Sequence, residues 1–286
     1  MAIDGYGENR RLRYNFAFIR TAFNVASPMS TIPSSILDAL TRAHPSWQAI
    51  LQAGLAAIAQ ADPAYLPALA EDHYLPTGQR LFAAFAQPKQ AVRYVLVGEG
   101  PYPRAESATG VCFMDGAVGS LWCATGLAKP VNKATSLRNF MKMLLVADGR
   151  LNPLDTGGSA MAPVAQRASD DGTVQTLAEL QENLTAHGFL LLNAALVFRP
   201  HVPPVIEARA WLPFLRTVLA ALAHADRAPT LVLWGKIAEQ LQKLPEAAGL
   251  PQLVSEHPYN LSFIGHAGMQ ALFGPMQLLR SRRISS

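Results

Sequence analysis

Four side chains with useful chemistry each follow an apolar stretch of the chain. They are the carboxylate of Glu99, the carboxamide of Asn193, the ammonium group of Lys236 and the imidazole of His257. Such groups transfer protons and hydrogen-bond ligands. The turn that begins with Glu99 has Gly100 at its apex, and since glycine has no side chain, any chemistry there depends on the neighbouring residues.

The apolar stretches in front of these residues predict the strands of a parallel sheet. Residues 92–97, 189–192 and 231–234 are almost wholly apolar, as is typical of strands buried on both faces, and 252–255 is the predicted fourth strand. Helical patterns, as at 177–186 and 208–223, separate them. This alternation predicts an α/β fold of three layers, α/β/α, with a central, mainly parallel four-stranded sheet. In such sheets the chemistry lies beyond the carboxyl ends of the strands, where the four side chains stand.

The length and net charge of the chain limit the number of domains and the kinds of partner that we expect. A chain of 286 residues, half of them apolar, can bury one substantial core. Lys and Arg exceed Asp and Glu by 24 − 20 = 4, a mild basic excess that permits an acidic partner such as nucleic acid. We predict an N-terminal extension at 1–30, either a packed surface arm or a DNA-contacting one, and a single α/β domain at 31–286. Within it, the Gly-, Ala-, Pro- and Ser-rich segment 148–173 is predicted to be a loop insertion that can roof the site.

Several classes of protein are excluded by composition. Two cysteines, Cys112 and Cys123, are too few for a four-thiolate iron–sulfur or zinc site. We expect them to be buried free thiols, with a disulfide as the alternative. The N-terminus does not have the pattern of a secretory signal, and no apolar run reaches the roughly 18 residues that span a membrane. These features predict a cytoplasmic protein with no membrane partner.

Seven segments, in order along the chain, resemble the uracil-DNA glycosylase superfamily, most closely its large uracil-excising family. The resemblance runs from about residue 74 to the C-terminus, through YLPTGQRLFAAF, LVGEGPYP, GVCFMD, ATSLRNF, LLLNAALVFR, LVLWGK and HPYNLS. The family's enzymes flip a nucleotide out of the duplex before they cut its base from the sugar. The resemblance therefore implies a DNA glycosylase with the fold predicted above.

The resemblance also implies roles in base recognition. Phe113 matches the residue that stacks on the flipped ring, and Asn193 matches the residue whose carboxamide, donor and acceptor together, reads the Watson–Crick edge. Tyr102 matches the residue that crowds the pyrimidine 5-position and excludes thymine. His257 matches the histidine that donates a hydrogen bond to the base O2 as negative charge moves onto the departing ring.

A second set of residues is implied in holding the DNA. Leu261 matches the wedge that replaces the flipped base. Ser136, Ser262 and the backbone at Gly235 match phosphate clamps, and Lys236 is placed to add a charge. Hydrolysis by a positioned water implies neither a metal nor an organic cofactor, and we expect a monomer with DNA as its partner.

One position departs from the family. Gly100 stands where the family has an aspartate that positions the attacking water, and loss of such a base costs roughly 10²–10⁴ in rate. Glu99 is our candidate replacement, because the Glu-Gly-Pro order resembles the turn of another branch of the superfamily, whose iron–sulfur cluster the cysteine count excludes here. The alternative is that the Glu99 carboxylate only bonds the amides of its own turn.

The departure leaves the substrate open. Gly100, Pro103 and the Tyr259–Asn260 pair reshape the pocket, so a larger pyrimidine, such as the hydroxymethylated or glycosylated cytosine of phage DNA, is our first expectation. DNA repair and antiphage defence use the same chemistry, so both roles stay open. Plain uracil excision in DNA repair is the alternative. A catalytically silent relative that binds DNA or protein is a third, although the joint presence of Tyr102 and His257 favours catalysis.

Overall fold

A computed structural model describes residues 32–282 of the chain, so the predicted extension at 1–30 lies outside the described residues. The α-helices in chain order are α1 Ser34–Asp38, α2 Gln48–Ala61, α3 Tyr65–Ala70, α4 Lys129–Lys133, α5 Thr135–Ala147, α6 Gly158–Ala168, α7 Leu177–Ala186, α8 Pro204–Ala223, α9 Lys236–Leu241, α10 Pro245–Ala248 and α11 Ala267–Phe273. The strands are β1 Tyr94–Gly98, β2 Trp122–Cys123, β3 Gly126–Leu127, β4 Phe189–Asn193, β5 Thr230–Trp234 and β6 Gln252–Ser255. Short 3-10 turns join several of these elements, as at Leu261–Gly265.

The central sheet has four parallel strands in the order β4-β1-β5-β6, which confirms the predicted fold class. Gly98 is in register with Asn193, and Trp234 with Ser255. The carboxyl ends of all four strands therefore meet at one edge, and the segments with the candidate side chains leave the sheet there.

Alternate residues of each strand feed two separate cores. In β1, Val95 and Val97 face the core formed with α2, α8 and α9, whereas Leu96 faces the core formed with α5, α6, α7 and α11. Helices cover both faces, and the interior residues of the strands are apolar on both sides, as is typical of a parallel sheet. These helical layers make the scaffold rigid under the site.

The prediction of a loop at 148–173 is wrong for the middle of this segment, because helix α6 occupies Gly158–Ala168. Four of its residues are buried at helical spacing, namely Met161, Val164, Ala165 and Ala168. The helix packs on the small antiparallel hairpin β2–β3. No residue of 148–173 lines the site cavity described below, so this segment does not roof it.

The two cysteines are both free, as predicted, but only Cys112 is buried. Cys123 is exposed on β2, which corrects the expectation that both are buried. Within residues 32–282, no helix is long and apolar enough to cross a membrane.

Candidate active site

A cavity of about 640 Å³ opens at the carboxyl edge of the sheet. All of the predicted site residues line it except Leu261 and Ser262. Those that line it are Glu99, Gly100, Tyr102, Phe113, Ser136, Asn193, Gly235, Lys236 and His257. Side chains from four strand ends and from α5 therefore converge on one space.

Asn193 lies at the floor of the cavity, as the last residue of β4. It is 5% exposed, and its carboxamide has no hydrogen-bond partner among residues 32–282. A Cβ atom at the neighbouring Gly98 would lie 3.0 Å from the Asn193 Oδ1 and 2.5 Å from the Cys112 Sγ, so glycine is needed there. The carboxamide faces the cavity and offers a hydrogen-bond donor and an acceptor together, which suits the edge of a pyrimidine.

The ring of Phe113 forms one wall, and its backbone is strained. Its φ angle is +67°, in a region that residues other than glycine rarely occupy. Edge-to-face contacts with Phe140 and Trp234, at 5.4 and 5.3 Å between ring centroids, fix the side chain. Such strain persists only where the surroundings enforce it, so the ring is preorganised as a stacking surface.

Tyr102 forms another wall and is half-buried. Burial raises the pKa of its phenol well above the usual range, with smaller contributions from Cys112 and Asp115. The pKa of the Cys112 thiol is itself raised to about 12 by burial. Both groups are therefore neutral at physiological pH, and Tyr102 acts as a bulky wall rather than as an acid.

His257 carries its proton on Nε2. The backbone N–H of Tyr259 donates to Nδ1 at 3.1 Å, so Nδ1 is the acceptor and the neutral ring keeps its hydrogen on the other nitrogen. Burial lowers the pKa of His257, and the charge of Glu99 opposes that shift. The imidazole is therefore a neutral hydrogen-bond donor at physiological pH.

Glu99 stands beside Gly100 at the mouth of the cavity. It is exposed, and its carboxylate accepts no hydrogen bond from residues 32–282, so the alternative of a carboxylate fixed by its own turn is not found. The turn is held to β4 by its backbone, because Ala195 N–H donates to the Glu99 carbonyl at 3.1 Å. A Cβ atom at Gly100 would have only Ala195 atoms nearby, at 3.7 and 3.9 Å.

The positions predicted to hold phosphates lie around the rim. Helix α5 begins after Ala134, which supplies no side-chain cap, so N–H groups of the first turn near Ser136 are free. Gly235 has φ +63° and ψ −139°, and a Cβ atom there would lie 2.9 Å from the His257 Cβ. Lys236 is exposed beside it.

Leu261 and Ser262 lie outside the cavity but close to it in the chain. Leu261 is 68% exposed, which is unusual for leucine and leaves it free to enter a duplex. Burial raises the pKa of Glu256, but a hydrogen bond from Ser262, a backbone hydrogen bond and the charge of His266 together outweigh it, so the pKa is lowered. Ser262 is thus engaged within the protein.

Sequence reasoning missed Asn139. It is fully buried, and its Nδ2 donates to the carbonyl oxygens of Pro258, Tyr259 and Asn260 at 2.7, 3.3 and 3.5 Å. The signal was present, since an asparagine stands on the apolar face of α5 within the segment ATSLRNF. Asn139 therefore fixes the loop that carries His257.

Residues 32–282 contain no cluster of three or more His, Cys, Asp or Glu residues suited to a metal ion. The side chains that line the cavity provide hydrogen-bond donors and acceptors, the two carboxylates of Glu99 and Glu256, and aromatic walls. This set suits recognition of a planar heterocycle and attack by a water molecule.

The comparisons with known proteins place this site in context. No family model matches the chain. It is 28% identical over 253 residues to a protein named uracil-DNA glycosylase from Corynebacterium glutamicum, which covers 85% of this chain and 88% of that protein. It is also 28% identical over 194 residues to uracil-DNA glycosylase 1 of Streptomyces coelicolor, with 66% of this chain and 68% of that protein covered.

A solved structure gives a stronger match. The wild-type UNG crystal structure from Nitratifractor salsuginis is 40% identical to this chain, with a TM-score of 0.79. The alignment covers 87% of this chain and 98% of the other.

Proposed function

Because the chain belongs to the uracil-DNA glycosylase superfamily and is a DNA glycosylase, we propose that it removes uracil from DNA by hydrolysis of the N-glycosidic bond. The observation that carries this proposal is the joint placement of Asn193, Phe113, Tyr102 and His257 around one cavity. Every group in the proposal comes from one chain, so it acts as a monomer with DNA as its substrate.

In this proposal the walls of the cavity select the base. The ring of Phe113 stacks on the flipped pyrimidine, and the free carboxamide of Asn193 pairs with its edge. Tyr102 is half-buried in the wall of the cavity, and in this proposal its ring lies beside the 5-position of the base. A wall in that place favours uracil over its 5-methyl analogue.

His257 and Glu99 carry out the chemistry in this proposal. As the bond from C1′ to the base breaks, the electron pair leaves with the base, and the Nε2–H of His257 donates to the developing oxyanion. Such a preorganised donor is worth roughly 10²–10³ in rate. Glu99 accepts the proton of the water that attacks C1′, and its negative charge also stabilises the cationic sugar.

The larger modified cytosine expected from the sequence has less support. Nothing around the cavity moves Tyr102 out of the way, and the relatives are named for uracil. Uracil excision fits the same residues without any rearrangement. The phage-type substrate and the defence role therefore stay as alternatives that the following experiment distinguishes.

The test is a base-release assay on three DNA substrates, which contain uracil, thymine or glucosylated hydroxymethylcytosine at one position. Abasic sites are scored by strand scission in alkali for the wild type, Glu99→Gln and His257→Ala. We expect release of uracil alone, with both substitutions lowering the rate by roughly 10²–10⁴. Release of the modified cytosine with uracil left intact would reverse the substrate assignment, and DNA binding without any release would identify a silent relative.

A further inference from the structure

A second cavity, of about 830 Å³, adjoins the first at the turn that contains Gly100. Glu99, Gly100, Pro101 and Lys236 line both cavities. Since the nearest atoms to a Cβ at Gly100 would be those of Ala195 at 3.7 Å or more, no side chain at this position separates the two spaces.

The second cavity has a mostly apolar lining that also includes Glu207, Arg209 and Lys236. It lies between α8, α9 and the segment after β4, with side chains such as Val197, Leu212, Leu241 and Leu244 in its walls. Gln240 is an exposed polar side chain at its edge. A lining that combines apolar side chains with polar groups favours a molecule that has both a hydrocarbon portion and a hydroxyl group.

The second cavity adjoins Glu99, the residue proposed to activate the nucleophile. The base lies in the first cavity, beside Asn193 and Phe113. If Glu99 activates the nucleophile, the molecule that attacks C1′ stands next to Glu99, and Glu99 faces both cavities. The second cavity is therefore next to the position from which the nucleophile approaches.

We propose that the second cavity is an acceptor site, which admits a small aliphatic alcohol in place of water and so allows transfer of the deoxyribosyl unit to that alcohol. This inference rests on the proposed uracil excision and on Glu99 as its base. The acceptor places its hydroxyl beside Glu99 and its hydrocarbon portion against the apolar walls.

The reaction balances without a further reagent. The bond between C1′ and the base breaks, and the electron pair leaves on the base, whose negative charge His257 stabilises. The alcohol oxygen forms the new bond to C1′, and its proton passes to the Glu99 carboxylate. The product is a 1′-O-alkyl deoxyribose within the DNA strand, and nothing is oxidised or reduced.

The experiment measures how the products divide between water and alcohol. Uracil-containing DNA is treated with the full-length protein in buffer with methanol or 1-propanol, at concentrations that leave its circular dichroism unchanged. Uracil release is measured by chromatography, and the abasic site and alkyl glycoside are separated by mass spectrometry. Each methylene group transferred to an apolar site is worth a factor of about four, and propanol has two more than methanol, so the wild type should prefer propanol as acceptor by roughly fifteenfold.

Two matched substitutions test whether the preference for propanol arises in the second cavity. Gln240→Trp narrows the cavity, whereas Gln242→Trp places the same side chain at an exposed position of the same helix end that does not line it. Gln240→Trp should abolish the preference for propanol, and Gln242→Trp should retain it. The ratio of products is independent of how much of the protein is folded.

The outcomes separate the two proposals. Normal uracil release with an abasic site as the sole product, or an unchanged acceptor ratio in Gln240→Trp, would overturn the acceptor site alone. No uracil release even in plain buffer would overturn the uracil proposal and the acceptor site with it.

Discussion

The side-chain amide of Asn139 donates a hydrogen bond of 2.7 Å to the carbonyl oxygen of Pro258 and so joins helix α5 to the loop that carries His257. The same amide is 3.3 Å from the carbonyl oxygen of Tyr259, the residue whose N–H fixes the His257 tautomer. One buried side chain thus holds both the position of the loop and the orientation of its imidazole.

We therefore predict that Asn139→Ala lowers the rate of base release through His257. The loss of the bond removes the side-chain donor to the buried Pro258 carbonyl, which should lower the free energy of unfolding by about 1–3 kcal/mol. Displacement of the imidazole should lower kcat by roughly tenfold to a hundredfold. Urea denaturation and single-turnover base release measure the two effects.

Asn183 provides the matched control. It is also buried, and its amide donates to the carbonyl oxygens of Leu278 and Arg280 at 2.7 and 2.8 Å, so it holds a C-terminal segment and not the loop that carries His257. Asn183→Ala should lose similar stability and keep kcat per folded molecule. An equal fall of kcat in both variants would mean that Asn139 acts only through stability.

A second prediction concerns the titration of His257. Since burial lowers its pKa in the folded protein, the acid limb of kcat/KM should lie below the usual histidine value of about 6.5. The unfolded chain binds the proton more readily, so the contribution of His257 to stability is present above about pH 6.5 and is lost as the pH falls towards the folded pKa.

The titration can be followed directly by NMR of the His257 ring protons. Glu99→Gln removes the negative charge that opposes the shift, so the pKa of His257 should fall further in that variant. A pKa that rises in Glu99→Gln, or that does not change, would show that Glu99 is not electrostatically coupled to the imidazole.

The sheet and the floor of the site were predictable because their signal is local. Strand β6 coincides with the predicted 252–255, and β4 extends the predicted 189–192 by one residue, because apolar runs that end at a polar or glycine residue mark buried parallel strands. Once the strands are parallel, Gly98 and Asn193 must lie at the same edge. The proximity of Gly98 and Asn193 therefore follows from the parallel topology of the sheet.

The contacts between distant segments were not predictable in the same way. The bond from Asn139 to Pro258 spans 119 residues, and nothing in a single segment identifies the partner. Helix α6 was missed although its signal is local. Its buried residues Met161, Val164, Ala165 and Ala168 have helical spacing, but the segment is rich in glycine, proline and serine, which are typical of loops. Composition outweighed periodicity there, and the prediction of a loop was wrong.

A third prediction tests the glycine that contacts His257. Gly235→Ala adds a Cβ atom 2.9 Å from the His257 Cβ, at a φ of +63° that alanine tolerates poorly. We expect a loss of about 1–3 kcal/mol in unfolding free energy and a lower kcat, because the histidine must move. Gly249→Ala is the control, since Gly249 has φ −82° and no neighbours within 4 Å of a Cβ. Equal behaviour of the two variants in urea denaturation would contradict this account.

The last prediction concerns the missing side chain at Gly100. A Cβ atom fits there, with its nearest neighbour at 3.7 Å, so Gly100→Asp should fold with nearly unchanged stability. Glu99→Gln should lower base release by roughly 10²–10⁴. In the double variant Glu99→Gln with Gly100→Asp, the new carboxylate stands one residue away from the lost one and lines the same cavity, so it should restore most of the rate in single-turnover assays. A double variant as slow as Glu99→Gln would show that a carboxylate at residue 100 does not reach the attacking water, and that the site depends on the position of Glu99 itself.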